Sequence, residues 1–102
     1  MKEFNRITID LIVWKTIIQT ALGRMYGLIG ESLQFDLIMS HDHQVVLRVY
    51  KLDIDKFITS LMGYVINIGK YYDLENQREL HCGLQVIRYG DYLGLVVNHN
   101  ID

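Results

Sequence analysis

The sequence predicts an α+β fold in which two helices pack on one face of an antiparallel sheet. Two stretches repeat apolar residues at steps of three and four, as a half-buried helix does, and the stretches between and after them alternate with period two, as half-buried strands do. In the first helix, starting near Thr8 or Asp10, Leu11, Trp14, Ile18, Leu22 and Met25 form the apolar stripe with Ala21 beside it, while Lys15, Gln19, Thr16, Thr20 and Arg24 fill the polar sides. Ile12 and Val13 sit off the stripe, and the alternation of Ile7, Ile9, Leu11 and Val13 leaves a strand over 6–13 as a second reading of its start. Gly27 and Gly30 bracket the exit from this helix, where glycine opens positive φ to the chain, with Leu28 and Ile29 expected to pack inward.

A hairpin is expected next. Leu33, Phe35, Leu37 and Met39 alternate with Gln34, Asp36, Ile38 and Ser40; His41, Asp42 and His43 make the connection; Val45, Leu47 and Val49 alternate with Val46, Arg48 and Tyr50. Asp53 is a suitable N-cap with Asp55 in the first turn, and Ile54, Phe57, Ile58, Leu61, Val65 and Ile68 make the stripe of a second helix ending near Gly69. Residues 70–79 are polar and without period. Cys82, Leu84 and Val86, a turn at Tyr89–Asp91 and the run Leu93–Val97 then give a second hairpin. This order is of the split βαβ kind, ferredoxin-like or RRM-like, with the first strand short or missing, since only Phe4 to Ile9 is available for it. The sheet face away from the helices carries Ile38, Val46 and Ile87 among Gln34, Asp36, Arg48, Tyr50 and Gln85, too apolar for a merely solvated surface, and reads as facing a partner.

At 102 residues the chain is expected to form one α+β domain over 1–102. Half of it is hydrophobic and 22% charged, which excludes a disordered chain. Lys plus Arg number 10 against 12 Asp plus Glu, so the net charge of −2 lacks the basic footprint of a free-standing nucleic-acid binder, and any RNA contact is local or shared. The single cysteine, Cys82, excludes an internal disulfide and fits a buried small hydrophobe in an apolar strand better than a reactive thiol. No signal-peptide pattern opens the sequence, and Leu11–Trp14, its longest early apolar run, is far short of the ~20 residues a membrane helix needs, so an intracellular, soluble chain is expected.

The residues offer little for catalysis. His41 and His43, with His81 or His99 and Cys82, are of metal-ligating type but lack a second close pair, so a solvated turn is the better reading and neither a metal nor another cofactor is expected. No nucleophile–base set or carboxylate pair is evident, and no catalytic residue is assigned. Gly27-Leu-Ile-Gly30 matches the bare GxxG of KH domains, but its middle positions are apolar; the strand Val45–Lys51 lacks the run of stacking aromatics of RRM domains, with Tyr50 alone in place.

A more specific likeness lies in the central stretch. Trp14, Ala21 and Leu22, Arg24, Tyr26 and Gly27, and Gly30 and Glu31, followed by the strand with Leu47, Arg48 and Val49, resemble the small protein subunits of eukaryotic ribonuclease P and ribonuclease MRP, nearest to the fungal Pop-eight type. The segment Cys82–Ile87 through Tyr92–Leu95 is similar to the last hairpin of the related vertebrate Rpp-fourteen proteins, so the likeness covers roughly residues 10–97. It implies a noncatalytic subunit of an RNA-based endoribonuclease in the nucleus and nucleolus, acting in precursor tRNA 5′-leader removal and rRNA processing. It also implies a heterodimer with a Pop-five-type relative, contact with a Pop-one-type scaffold, and ribonuclease P/MRP RNA nearby, reached directly or through other proteins. The positions expected to touch a partner or RNA are Arg24, Tyr26, Gly27, Gly30, Glu31, Ile38, Val46, Arg48 and Tyr50, against a purely shape-giving role for Tyr26, Gly27 and Gly30. The alternatives are a free-standing KH- or RRM-like RNA-binding module and a small metal protein using His41, His43 and Cys82.

Overall fold

A computed structural model describes residues 8–67, 70–71 and 81–98. In chain order the elements are α1 (Leu11–Glu31), β1 (Phe35–His41), β2 (Gln44–Val49), a 3₁₀ turn (Lys51–Asp53), α2 (Ile54–Leu61), β3 (Val65–Asn67), β4 (His81–Tyr89) and β5 (Tyr92–Asn98). The expected N-terminal strand lies mostly outside the described residues; within them, Thr8–Asp10 is not in a strand, although the Ile9 N–H donates to the Asp42 carbonyl at 3.0 Å.

The strands form one sheet in the order β1-β2-β5-β4-β3, with every neighbouring pair antiparallel. Val45, Leu47 and Val49 of β2, Leu93, Leu95 and Val97 of β5, and Cys82 and Leu84 of β4 are buried on the same face, which the helices cover. Trp14, Ile17, Ile18, Ala21 and Leu22 of α1 and Ile54, Phe57 and Leu61 of α2 close over them in one hydrophobic cluster. Phe35 of the edge strand meets Phe57 edge to face, ring centroids 5.7 Å apart, which ties β1 to α2. The α+β sandwich of the sequence reading is thus the observed architecture.

Asp10 caps α1 by accepting the Val13 N–H at 2.9 Å, as a residue of its type at that position does. The buried stripe differs in part from expectation. Ile17 is fully buried, whereas Leu11 and Met25, at the two ends of the predicted stripe, are half exposed because the core is shorter than the helix. The helix does not end at Gly27 either. That residue takes φ +60° and ψ −140°, a conformation open to glycine, and a further helical turn follows to Glu31 at a new angle. The turn folds back on the helix it left: a β-carbon on Gly30 would collide with the Leu22 carbonyl oxygen. Ser32 closes it, its hydroxyl donating to the Ile29 carbonyl at 2.8 Å. With Gly30 as the inward residue, Leu28 and Ile29 point outward and are 83% and 69% exposed, against the expectation that they pack inside.

Two further expectations are corrected. In β1 the register shifts between Leu37 and Met39, leaving Ile38 as an extra residue in a bulge. The bulge reverses the alternation beyond it, so Met39 pairs with Val46 on the outer face and is 63% exposed, not on the core side where strict alternation would set it. The second helix ends at Leu61; Gly63 at φ +74° turns the chain, and Val65, Ile66 and Asn67 pair with Gly83, Cys82 and His81 as β3. Val65 fits a helical stripe and a strand equally well by spacing, and the glycine turn with strand pairing decides for the strand. Ile68 and Gly69, the predicted end of that helix, lie outside the described residues.

Two outcomes follow from this packing. Gly30→Ala forces the Leu22 backbone to move and is expected to cost about 1–3 kcal/mol or more by overpacking, and Gly27→Ala about 1–3 kcal/mol through its φ; urea unfolding of both variants checks this. Cys82 is fully buried, and burial pushes its thiol up to about 11 from an ordinary 9.0. The native protein should therefore react slowly with a thiol reagent at pH 8 and release one fast-reacting thiol on denaturation, and its stability should fall as pH rises through the window from about 9 to about 11, where only the unfolded thiol ionises.

Candidate functional site

With the core on one side, the opposite sheet face is open, and strand register sorts its residues into rows. One row runs Asp36, Arg48, Tyr92, Tyr89 across four strands; the next runs Met39, Val46, Gly94, Ile87; the third His41, Gln44, Val96, Gln85. The face thus divides along the strands into an aromatic, charged end and an apolar middle, where Gly94 supplies no side chain. The Tyr89 ring fills that gap: its Cε2 lies 3.1 Å from where a β-carbon on Gly94 would stand.

At the charged end Arg48 Nη2 donates to Asp36 Oδ2 at 2.9 Å. This bond, then the charge of Asp36, holds the guanidinium above its ordinary pKa; Tyr92 is its cross-strand partner in β5 and Tyr50 lines a common depression with it. Tyr50 follows β2 in extended backbone and is well exposed. Asp36, Arg48, Tyr50, Lys51 and Asp91 line an open depression there. A second depression, between α1 and the start of β1, is lined by Lys15, Gln19 and Glu31–Asp36, so Gln34–Asp36 separates the two.

The nine positions singled out from the sequence therefore fall into two groups. Ile38, Val46, Arg48 and Tyr50 lie on or beside the outer sheet face, Ile38 within its bulge. Arg24, Tyr26, Gly27, Gly30 and Glu31 lie at the folded-back end of α1. Arg24 is engaged over the Tyr64 ring, its guanidinium carbon 4.7 Å from the centroid, and the Glu31 side chain lies across Gly23. Gly27 and Gly30 have conformational and packing roles there, and the buried Gly30 leaves the GxxG segment unlike an open backbone clamp. Glu31 borders the second depression and Arg48 and Tyr50 the first, so the groups meet on either side of Gln34–Asp36 without forming one site.

Sequence reasoning missed Met39, Tyr89, Tyr92 and Val96 as members of the open face. Met39 was hidden by the bulge. Tyr92 and Val96 were legible as the alternate positions of the Leu93–Val97 run, and Tyr89 as the residue opposite Tyr92 across a Gly-Asp turn. For metal chemistry, no group of three His, Cys, Asp or Glu side chains gathers among the described residues, and Cys82 faces the core.

Comparison with known proteins agrees with the likeness that the central motif suggested. A curated relative, the ribonucleases P/MRP protein subunit POP8 of Saccharomyces cerevisiae, is 32% identical over 57 residues, which is 56% of this chain and 43% of the relative. The chain thus spans less than half the length of the curated relative it matches. No solved structure matches the chain. Residues 2–64, more than half of the chain and the whole of α1, β1, β2 and α2, match the family of ribonucleases P/MRP protein subunit Pop8, and the chain belongs to that family.

Proposed function

We propose that this chain is a noncatalytic protein subunit of the ribonuclease P and MRP ribonucleoproteins, acting in precursor tRNA 5′-leader removal and rRNA processing in the nucleus and nucleolus. The observation that carries the reading is the family match over residues 2–64, which includes the folded-back segment Arg24–Glu31 and the strand with Arg48. In this reading the RNA of the holoenzyme performs phosphodiester cleavage and the chain supplies a shaped surface. It needs no nucleophile or metal of its own.

The surface offered is chiefly protein-facing. Ile38, Met39, Val46, Ile87 and Val96 make the middle of the open sheet face apolar, and the net charge of −2 gives no long-range attraction to a polyanion. In this reading the outer sheet face lies on a second subunit of Pop-five type, while the exposed Leu28 and Ile29 at the α1 kink suit contact with a Pop-one-type scaffold. Arg24, Tyr26, Gly27, Gly30 and Glu31 then act by holding that kink in shape, and Arg48 and Tyr50 by bordering the sheet interface.

The test is a tagged pull-down at about 150 mM salt, where weak nonspecific RNA contacts are largely screened, with mass spectrometry and RNA sequencing of the eluate. Ribonuclease P and MRP proteins and RNAs are expected together; their absence from the eluate overturns the reading. Val46→Lys sets a charge in the apolar middle of an open face, so the variant should keep its wild-type circular dichroism and melting curve to within a few degrees and lose the partner subunits from the eluate by tenfold or more. Loss of folding in place of loss of partners would make Val46 a core residue.

A further inference from the structure

Gly94 stands in the middle of β5, opposite Val46 on one side and Ile87 on the other. A glycine inside a strand weakens it, since it loses the most freedom on folding and has no side chain to pack, and such a glycine often marks a close approach. The backbone does not require it there: among the described glycines positive φ falls at Gly27, Gly63 and Gly90. A ring occupies the place instead, because Tyr89 Cε2 and Cδ2 lie 3.1 and 3.8 Å from where a β-carbon on Gly94 would stand. Tyr89 thus rests on bare backbone along one edge while it remains 58% exposed. A tyrosine has only two side-chain angles to fix, and seating it over backbone leaves it little freedom to lose when a partner covers it.

The charge and composition of the face around this ring favour a protein as its occupant. Its three rows hold no lysine and no glutamate, and their single acid and single arginine, Asp36 and Arg48, are bonded to each other at 2.9 Å. Lys51 and Asp91 balance in charge at the rim. A polyanion needs cations left over to meet its phosphates, and here Arg48 and Lys51 are both offset. Protein interfaces are depleted in lysine and glutamate and enriched in tyrosine, methionine and arginine, which Tyr89, Tyr92, Met39 and Arg48 supply here. Tyr89 also reaches from the aromatic end toward the row of Met39, Val46 and Ile87, so the aromatic end and the apolar middle are one continuous surface with the ring at their junction.

We propose that Tyr89 is the aromatic anchor by which a second protein subunit is held on the outer sheet face, and that Gly94 is the positioning residue that seats it. The partner surface it fits is uncharged and apolar, with a recess that takes one phenol ring. The inference deepens the subunit reading, on which it rests for the presence of the partner, by assigning the strongest point of the contact to one ring and to the glycine that leaves room for it.

The test captures the tagged full chain with its assembly, digests the RNA with nuclease on the resin, and quantifies the ribonuclease P and MRP proteins that stay bound. The wild type and Tyr89→Phe should each keep at least one such protein after digestion. Tyr89→Ala and Gly94→Val should each lose it by about tenfold or more, as an interface hot spot does. Because Gly94 acts through the ring, the Tyr89→Ala/Gly94→Val double variant should lose no more than Tyr89→Ala alone. Circular dichroism and melting curves establish that the variants are folded; should Gly94→Val fail to fold, Tyr89→Ala decides the anchor by itself. Wild-type recovery by folded Tyr89→Ala overturns the proposal and reduces the ring to a cover for Gly94, as does a further loss in the double variant for the role of Gly94. Release of every partner protein by nuclease overturns it in favour of RNA, and a dimer of the purified chain that Tyr89→Ala dissolves, seen by sedimentation equilibrium, overturns it in favour of a second copy. A wild type that captures no ribonuclease P or MRP protein even before digestion removes the subunit reading and the anchor with it, whereas wild-type capture that Tyr89→Ala leaves intact removes the anchor alone.

Discussion

The pairing of β2 with β5 is the constraint on which the rest of the structure depends. It joins the β1–β2 hairpin to the β3–β4–β5 meander across some fifty residues of sequence, setting Val45 against Leu95 and Leu47 against Leu93. These four buried residues share one core cluster with Trp14, Ile18 and Phe57. Full burial of side chains of this size stabilises by about 1.5–3 kcal/mol each. A slip of one residue in this pairing would turn them to the solvent face, so the register is strongly determined.

The same register composes the opposite face. Because Arg48 meets Tyr92 and Val46 meets Gly94, the charged and aromatic residues collect at one end and the aliphatic ones in the middle. Neither grouping exists within a single strand. The bulge at Ile38 adds to it by turning Met39 outward next to Val46, which widens the apolar middle toward the edge strand. The face thus carries two kinds of surface, an aliphatic one suited to a second protein and an aromatic one whose rings stand open beside a neutralised arginine.

The kink of α1 serves a separate purpose. A glycine conformation at Gly27 and a close approach at Gly30 let the chain double back, so that a single helical turn presents Leu28 and Ile29 outward while its backbone seals against Leu22. The Arg-x-x-Gly-x-x-Gly-Glu spacing of residues 24–31 that first suggested the family is therefore, in large part, a record of how the helix must turn. Family membership follows from the match over residues 2–64, within which this segment lies.

The elements with a strong local pattern were legible in the sequence: the body of α1, the β1–β2 hairpin, the start of α2 at Ile54, the last hairpin and the buried Cys82. Hydrophobic period and end signals are local properties, and the side that faces the core follows from them. The likeness to the ribonuclease P/MRP subunits was legible for the same reason, since its motif is a run of neighbouring residues. The end of α2 was not, because Val65 satisfies both periods and only pairing with Gly83 makes it a strand. The phase of Met39 was not, because a bulge is an agreement between two strands and leaves no mark in one. The direction of Leu28 and Ile29 was settled by Gly30 meeting Leu22, eight residues back. The meeting of Arg48 and Tyr50 with the Tyr89–Tyr92 pair was settled by the pairing of β2 with β5. Sequence determines which residues seek burial and with what period; which distant residues share a surface is decided by how the strands pair, a long-range choice made only when the whole core closes.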